Sequence, residues 1–298
     1  MLFRSLVTLE QNLVKDLVIS AVSEYGWDKL KYWVNSLNQT GYDGRKAVIV
    51  FNIKDETISK LIENGFEVWL ASEKRNANND GYHFADNVTF QVPALRHYFY
   101  WKFLKDQKDI RYVISTDISD VVFQTNPSEW IDKKFDANLE LMYQSEGLRY
   151  RNEDWGNENF QHCFGSEIYE KVKDRSIYNA GSMMGRFQTF VDFSLNVALI
   201  LANAQHNPTP DQAAVNLVLS LEPYKHITQF NNHDISWACE AGTTVDPSKI
   251  EKFRPNLLCP EPKWDGEFVY NSLDEKYCIV HQYNRVPEWK SVIEKKYE

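Results

Sequence analysis

Short apolar runs separated by amphipathic segments fill the first half of the chain. Leu17 to Val22 (LVISAV) is a β-branched run that stops at Tyr25-Gly26, and Lys29 to Leu37 carries Leu30, Trp33 and Leu37 at helical spacing. Ala47 to Phe51 (AVIVF) reads as a buried strand, Glu56 to Asn64 as a helix closed by Gly65, and Phe66 to Leu70 (FEVWL) as the next strand. A helix over Ala94 to Lys105 and a strand over Tyr112 to Ser115 (YVIS) extend the series. Strands alternating with helices predict βαβ units, hence an α/β fold with a mixed, mainly parallel central sheet flanked by helices. Such sheets bind ligands at the carboxyl ends of their strands. Chemistry is therefore sought in the residues just after each strand.

The second half is less periodic. Residues 141–178 mix charged and aromatic side chains, among them Arg149, Tyr150, Arg151, Trp155, Phe160 and Phe164, and predict an irregular excursion. Phe190 to Ala204 and Gln212 to Leu221 predict helices, and Asn231 to Lys276 predicts loops with short strands. No linker, repeat or low-complexity stretch divides the chain, so a single domain over 1–298 is expected.

Composition narrows the classes. With 33 basic and 42 acidic residues the net charge is −9, which disfavours a nucleic-acid partner that needs clustered positive charge. Cys163, Cys239, Cys259 and Cys278 are far apart and form no CxxC pair, which fits reduced thiols in a cytoplasmic protein better than a zinc or disulfide framework. No run approaches the roughly 20 apolar residues of a membrane span. Leu2, Leu6, Leu9, Leu13 and Leu17 lie at helical spacing without the continuous apolar core of a signal peptide. Packing of that segment against the domain is expected; a peripheral membrane contact stays open, with only Arg4 and Lys15 to grip anionic lipid. The aromatic share of 14% suits both a thick core and a sugar-binding cleft, and by itself does not choose between them.

Four segments carry candidate chemistry. Asp117 and Asp120 directly follow the YVIS strand, and two carboxylates in one turn can face a divalent cation; the competing reading is a turn hydrogen bond and a cap. His281 follows a late apolar strand, YCIV, whose alternation sets Tyr277, Ile279 and His281 on one face; an imidazole suits a transition metal such as Mn²⁺, against the plainer role of a structural histidine. Asn179, Gly181 and Gly185 form a turn-rich segment where backbone can approach a ligand closely. Asp211 and Gln212 open a helix, where Asp211 either caps amides or meets a sugar.

In this order, an acidic pair after a strand, Asn179-Ala-Gly, Asp211-Gln-x-x-x-Asn216 and a late His281 resemble the GT-A glycosyltransferases, most closely the retaining GT8-like group. The likeness covers most of the chain. It implies that Asp117, Asp120 and His281 hold Mn²⁺ or Mg²⁺ against the diphosphate of a UDP- or GDP-linked sugar. It further implies that Arg96, Asn179 and Asp211 contact the donor sugar, that Gln212 lies near the anomeric carbon, and that Ala21, Ser23 and Tyr25 line the base. A nucleotide-binding half (1–130) and an acceptor- and sugar-binding half (131–298) with a C-terminal annex follow from the same likeness. The spacing Asp117-Ile-Ser-Asp120 is one residue longer than the family's DxD, and the Gly and Lys usual after the late histidine are missing, so Arg285 or Lys290 would supply charge to the phosphates.

The implied activity is metal-dependent sugar transfer to a hydroxyl acceptor, with a glycan acceptor and polysaccharide biosynthesis as the setting. Retention is favoured by Gln212; inversion would instead need Asp211 or Glu153 as a base. The aromatic stretch 141–178 is the candidate acceptor wall, with Trp155, Phe160, Tyr178, Trp237 and Trp264 beside the sugar site. Two alternatives stay open at this point, a sugar nucleotidyltransferase and a non-catalytic nucleotide-sugar- or carbohydrate-binding module. The first lacks its basic glycine-rich loop, since residues 21–28 (AVSEYGWD) hold one Gly and no Lys or Arg.

Overall fold

The computed structural model describes residues 14–71, 82–85, 88–204 and 210–298. The chain runs through β1 (Lys15–Val22), α1 (Trp27–Gln39), β2 (Arg45–Val50), α2 (Asp55–Glu63), β3 (Glu67–Leu70), the hairpin β4 (Tyr82–Ala85) and β5 (Val88–Phe90), α3 (Val92–Leu104), β6 (Ile110–Thr116) and β7 (Val121–Phe123). It continues through α4 (Pro127–Lys134), β8 (Leu141–Arg149), α5 (Asp154–Val172), β9 (Ser176–Tyr178), β10 (Ser182–Arg186), α6 (Phe187–Leu201), α7 (Asp211–Leu219), α8 (Tyr224–Ile227) and β11 (Thr228–Asn231). Then follow β12 (Ala238–Glu240), α9 (Ala241–Thr244), α10 (Ile250–Phe253), β13 (Lys263–Trp264), β14 (Val269–Tyr270), β15 (Ile279–His281) and α11 (Pro287–Lys296).

The main sheet has the order β11-β8-β10-β6-β1-β2-β3, with β9 paired to β8. Strands β6, β1, β2 and β3 run parallel, β11 runs parallel to β8, and β10 is antiparallel to β6 and β8. This is the mixed, mainly parallel α/β sheet expected from the sequence. Both of its faces are covered, so its strands read as continuous apolar runs rather than alternating ones. Leu17 and Ile19 of β1 and Ala47 and Ile49 of β2 join one core with α3, α6 and α7. Val18, Val22, Val48 and Val50 turn to the other face, against Leu30, Trp33 and Leu37 of α1. Each fully buried Val, Leu or Ile among them contributes about 1.5–3 kcal/mol relative to exposure. Strands β12, β15 and β7 form a second, three-stranded sheet beside the first.

Several expectations are corrected. Residues 141–178 are regular: the nine-residue β8, a 3-10 turn, α5 and β9. Helix α5 is broken at Gly165, whose φ of 80° a side chain would strain. Gly185 lies inside β10, not in a turn. A Cβ there would stand 3.2 Å from the Glu140 carbonyl oxygen, so close strand packing explains the glycine. Phe160 and Trp237 are fully buried core residues rather than parts of a sugar-facing wall. Trp264 stacks on Trp289, whereas Trp155 is half exposed at the start of α5. Leu2 to Leu13 lie outside the described residues, and Leu17 belongs to β1. No helix among the described residues is long and apolar enough to cross a membrane, and no two cysteines are bonded.

Candidate metal centre

Strand β6 delivers Asp117 to the carboxyl edge of the sheet. Its last residue is pinned: Trp33 Nε1 donates to Thr116 Oγ1 at 2.8 Å and Ser20 Oγ donates to the Thr116 carbonyl at 2.7 Å. The longer acidic turn is accommodated because Ile118 drops into the core while Asp117 and Asp120 stay half-buried. Asp120 ends this turn at the start of β7, and β7 pairs antiparallel with β15 so that Val121 lies opposite His281. The Gln282 amide donates to the Asp120 carbonyl at 2.7 Å and locks the two strand ends together. His281 Nε2 consequently stands 3.4 Å from Asp117 Oδ2 and 3.9 Å from Asp120 Oδ1. One ligand atom from each of Asp117, Asp120 and His281 lies within 4.8 Å of the others.

Two observations test whether these residues fit a cation. His281 Nε2 is buried and has no hydrogen-bond partner, an orphaned donor-acceptor atom that a metal would satisfy. Gly181 lies across from Asp117, where a Cβ would stand 2.8 Å from Asp117 Oδ2 and 2.8 Å from His281 Cε1. The glycine keeps open the space the three ligands share. Two carboxylates and an imidazole suit Mn²⁺ and, less selectively, Mg²⁺. The residues fit.

The charges around the centre are strongly coupled. Arg96 is buried in α3 and holds Asp117 through Nη1; its Nη2 donates to the Ala180 carbonyl at 2.7 Å and to Asp211 Oδ2 at 3.1 Å. Burial would raise the Asp117 carboxyl, but the Arg96 guanidinium and His281 outweigh it and hold that group below the ordinary carboxylate range. Burial pushes Asp120 up, helped by the charge of Asp117 and opposed by His281 and Arg285. Asp211 is likewise raised by burial, with Arg96 pulling the other way. Burial disfavours a charged His281, yet Glu240, Asp117 and Asp120 together lift it well above the usual histidine value.

The remaining sequence candidates fall around this centre in different ways. Asp211 and Gln212 occupy the first turn of α7, and Gln212 Nε2 is buried without a partner. Asn216, one turn further, clamps the β9 backbone: its Oδ1 accepts from Tyr178 N at 2.9 Å and its Nδ2 donates to the Tyr178 carbonyl at 2.7 Å. Asn179 is buried; its Nδ2 donates to Glu146 Oε1 at 2.8 Å and its Oδ1 accepts from the Gly181 amide, which shapes the loop. Tyr25 lines a cleft of about 500 Å³ with Glu24, Gly26, Asp28, Asn52, Ile53 and Lys54, beyond the carboxyl ends of β1 and β2. Ala21 packs against the core inside β1, and Ser23 lies in the turn that follows. Arg285 and Lys290 are exposed, and only Arg285 is near enough to influence Asp120.

Two acidic residues escaped the sequence reading. Glu240 Oε2 lies 2.6 Å from His281 Nδ1, and Glu146 is buried on β8 behind Asn179. Burial, with Glu240 and Glu153 nearby, pushes the Glu146 carboxyl up to about 7. For Glu240 the available signal was a lone acidic residue at the end of a short apolar run (Trp-Ala-Cys-Glu240), too common to single out; Glu146 follows the polar Gln144 and Ser145 and carried no such signal.

No protein-family model matches the sequence, and no curated protein matches it. Among solved structures, the apo form of WbbM, a bifunctional glycosyltransferase, is similar with a TM-score of 0.58 at 12% identity. The match covers 95% of this chain and 51% of that one, so the chain spans about half the length of WbbM. At this identity the likeness is one of fold: the chain has a mixed α/β fold also found in a glycosyltransferase.

Proposed function

We propose that the chain is a metal-dependent glycosyltransferase that moves a sugar from a UDP- or GDP-linked donor to a hydroxyl acceptor on a glycan, with retention of anomeric configuration. The observation that carries this reading is the half-buried Asp117, Asp120 and His281 centre at the carboxyl edge of β6, with an orphaned Nε2 and a glycine-lined space between the ligands. A divalent cation held there supplies Lewis-acid stabilisation of the charge that builds on a leaving diphosphate.

The chain's own residues do the rest by position. Arg96 ties Asp117 to Asp211, so the cation ligand and the first turn of α7 keep a fixed separation. Asp211 accepts from a donor-sugar hydroxyl with the oxygen that Arg96 leaves free. Gln212 offers its unpartnered amide beside the reacting carbon, and a neutral amide there favours retention over a carboxylate base. Tyr25 and its cleft suit a nucleoside base, and Arg285 lies near Asp120 where phosphate charge would gather. The half-exposed Trp155 offers an apolar face to an acceptor sugar.

The test incubates the protein with UDP- and GDP-sugars and Mn²⁺ and follows nucleoside diphosphate release by anion-exchange chromatography of the quenched mixture. Turnover in the wild type and its loss in Asp120→Ala support the reading; equal turnover in the two removes the metal from it. An inverted anomeric centre in the product would overturn retention.

A further inference from the structure

We propose that Glu240 is a positioning residue for the cation centre: it accepts the Nδ1 proton of His281 and so aims the Nε2 lone pair at the space between Asp117 and Asp120. The inference rests on the metal reading above and assigns a residue that touches none of the reacting atoms. Strands β12 and β15 are parallel neighbours with Glu240 in register with His281, so the two side chains leave their strands on the same side. Glu240 Oε2 lies 2.6 Å from His281 Nδ1. The other oxygen, Oε1, accepts from Ser182 Oγ at 2.8 Å, so both carboxylate oxygens are committed. The backbone is fixed as well, because Thr244 Oγ1 donates to the Glu240 carbonyl at 2.7 Å.

Glu240 is 1% exposed, and among the described residues no lysine or arginine pairs with it. A carboxylate buried without a cationic partner is unfavourable, and the imidazole opposite is its one ion-pair partner there. The 2.6 Å contact engages Nδ1 and fixes the plane of the ring, so Nε2 is the nitrogen that a cation between Asp117 and Asp120 would meet. Of the two ring nitrogens, Nε2 is the one without a hydrogen-bond partner. Carboxylates that fix a ligating histidine in this way typically sustain metal affinity by about 10–100-fold.

The test measures Mn²⁺ dissociation constants by electron paramagnetic resonance of the free aquo ion, on the full chain. Wild type is compared with Glu240→Gln, which keeps an acceptor oxygen, Glu240→Leu, which keeps volume without one, and Ser182→Ala. The expected result is a loss of about 10–100-fold in Glu240→Leu, a smaller loss in Glu240→Gln, and a slight one in Ser182→Ala. Urea unfolding without metal accompanies each variant: a merely structural role would shift the unfolding midpoint and leave Mn²⁺ affinity of the folded protein unchanged. Should the leucine variant fail to fold, the order wild type, Ser182→Ala, Glu240→Gln still decides the matter. Equal affinities across folded variants overturn the role of Glu240 alone; a wild type that binds no Mn²⁺ overturns the metal reading with it.

Discussion

Glu146 gives the sharpest quantitative expectation. Its carboxyl is buried on β8, accepts from Asn179 Nδ2 at 2.8 Å and faces the negative charges of Glu240 and Glu153; burial first, and those neighbours second, push it up to about 7 from an ordinary 4.5. The sign follows from proton uptake. Below pH 4.5 both folded and unfolded chains are protonated at this site, and no stability depends on it. Between 4.5 and 7 the unfolded chain releases its proton while the folded chain keeps it, so stability falls as pH rises. Above 7 the folded chain carries the buried charge and the loss is complete. A gap of about 2.5 pH units, at about 1.4 kcal/mol per unit, comes to roughly 3.5 kcal/mol. Glu146→Gln keeps an acceptor for Asn179 and removes the ionisation. Relative to wild type it should gain about 2.5 kcal/mol between pH 5 and pH 8, read from urea unfolding with EDTA at constant ionic strength. A difference that stays flat across those pH values, or a glutamine variant that weakens as pH rises, would refute the reasoning. A cation beside His281 opposes the same negative charges, so added Mn²⁺ should narrow the difference.

Other perturbations test other parts of the centre. Gly181→Ala places a methyl 2.8 Å from both Asp117 Oδ2 and His281 Cε1; Mn²⁺ affinity should fall at least tenfold, by roughly 1.4 kcal/mol or more, with the circular dichroism spectrum unchanged, and full retention of affinity would remove the glycine from the site. Asn216→Ala breaks two hydrogen bonds to the Tyr178 backbone and should cost about 2 kcal/mol in urea unfolding, with the slope against urea preserved. Arg96→Leu leaves Asp117 and Asp211 close together with no cation between them, so it should destabilise the protein by about 3–5 kcal/mol near neutral pH and by less as the pH is lowered. A loss that does not vary with pH would argue against the charge pairing.

The legibility of the fold tracks how each strand is buried. Strands β1, β2 and β6 are covered by helices on both faces, so their apolar runs are continuous and visible in the sequence. Strand β8 is just as buried but spends Gln144, Ser145 and Glu146 on hydrogen bonds inside the molecule, which erases the apolar signal. Helix α5 was hidden for a different reason. Gly165 breaks its axis midway, so the two halves turn different faces inward and no single 3.6-residue period spans them. The aromatic load divided accordingly: Phe160 went to the core on the inner face of α5, and Trp237, in the bend before β12, is buried with its Nε1 donating to the Ser182 carbonyl at 3.1 Å.

The site shows the same division between local and non-local information. Asp117 was legible because it directly follows the apolar strand β6, His281 because it ends the apolar strand β15, and Asp120 because it shares the acidic turn with Asp117; the three meet because β7, which opens just after Asp120, pairs with β15 in the second sheet. Their partners depend on pairings that sequence spacing does not encode. Glu240 reaches His281 only because the three-residue strands β12 and β15 adopt one register rather than another, and strands that short carry no readable alternation. Gly181 matters only because β10 returns antiparallel beside β6, with Ser182 opposite Thr116, and so sets the residue before it against Asp117. A one-residue slip in either pairing would turn the Glu240 side chain away from His281 or put the Ser182 side chain where Gly181 leaves room, with every proposed ligand still present in the sequence. The ligands are therefore a property of strand ends, while the space and protonation that make them usable are properties of register.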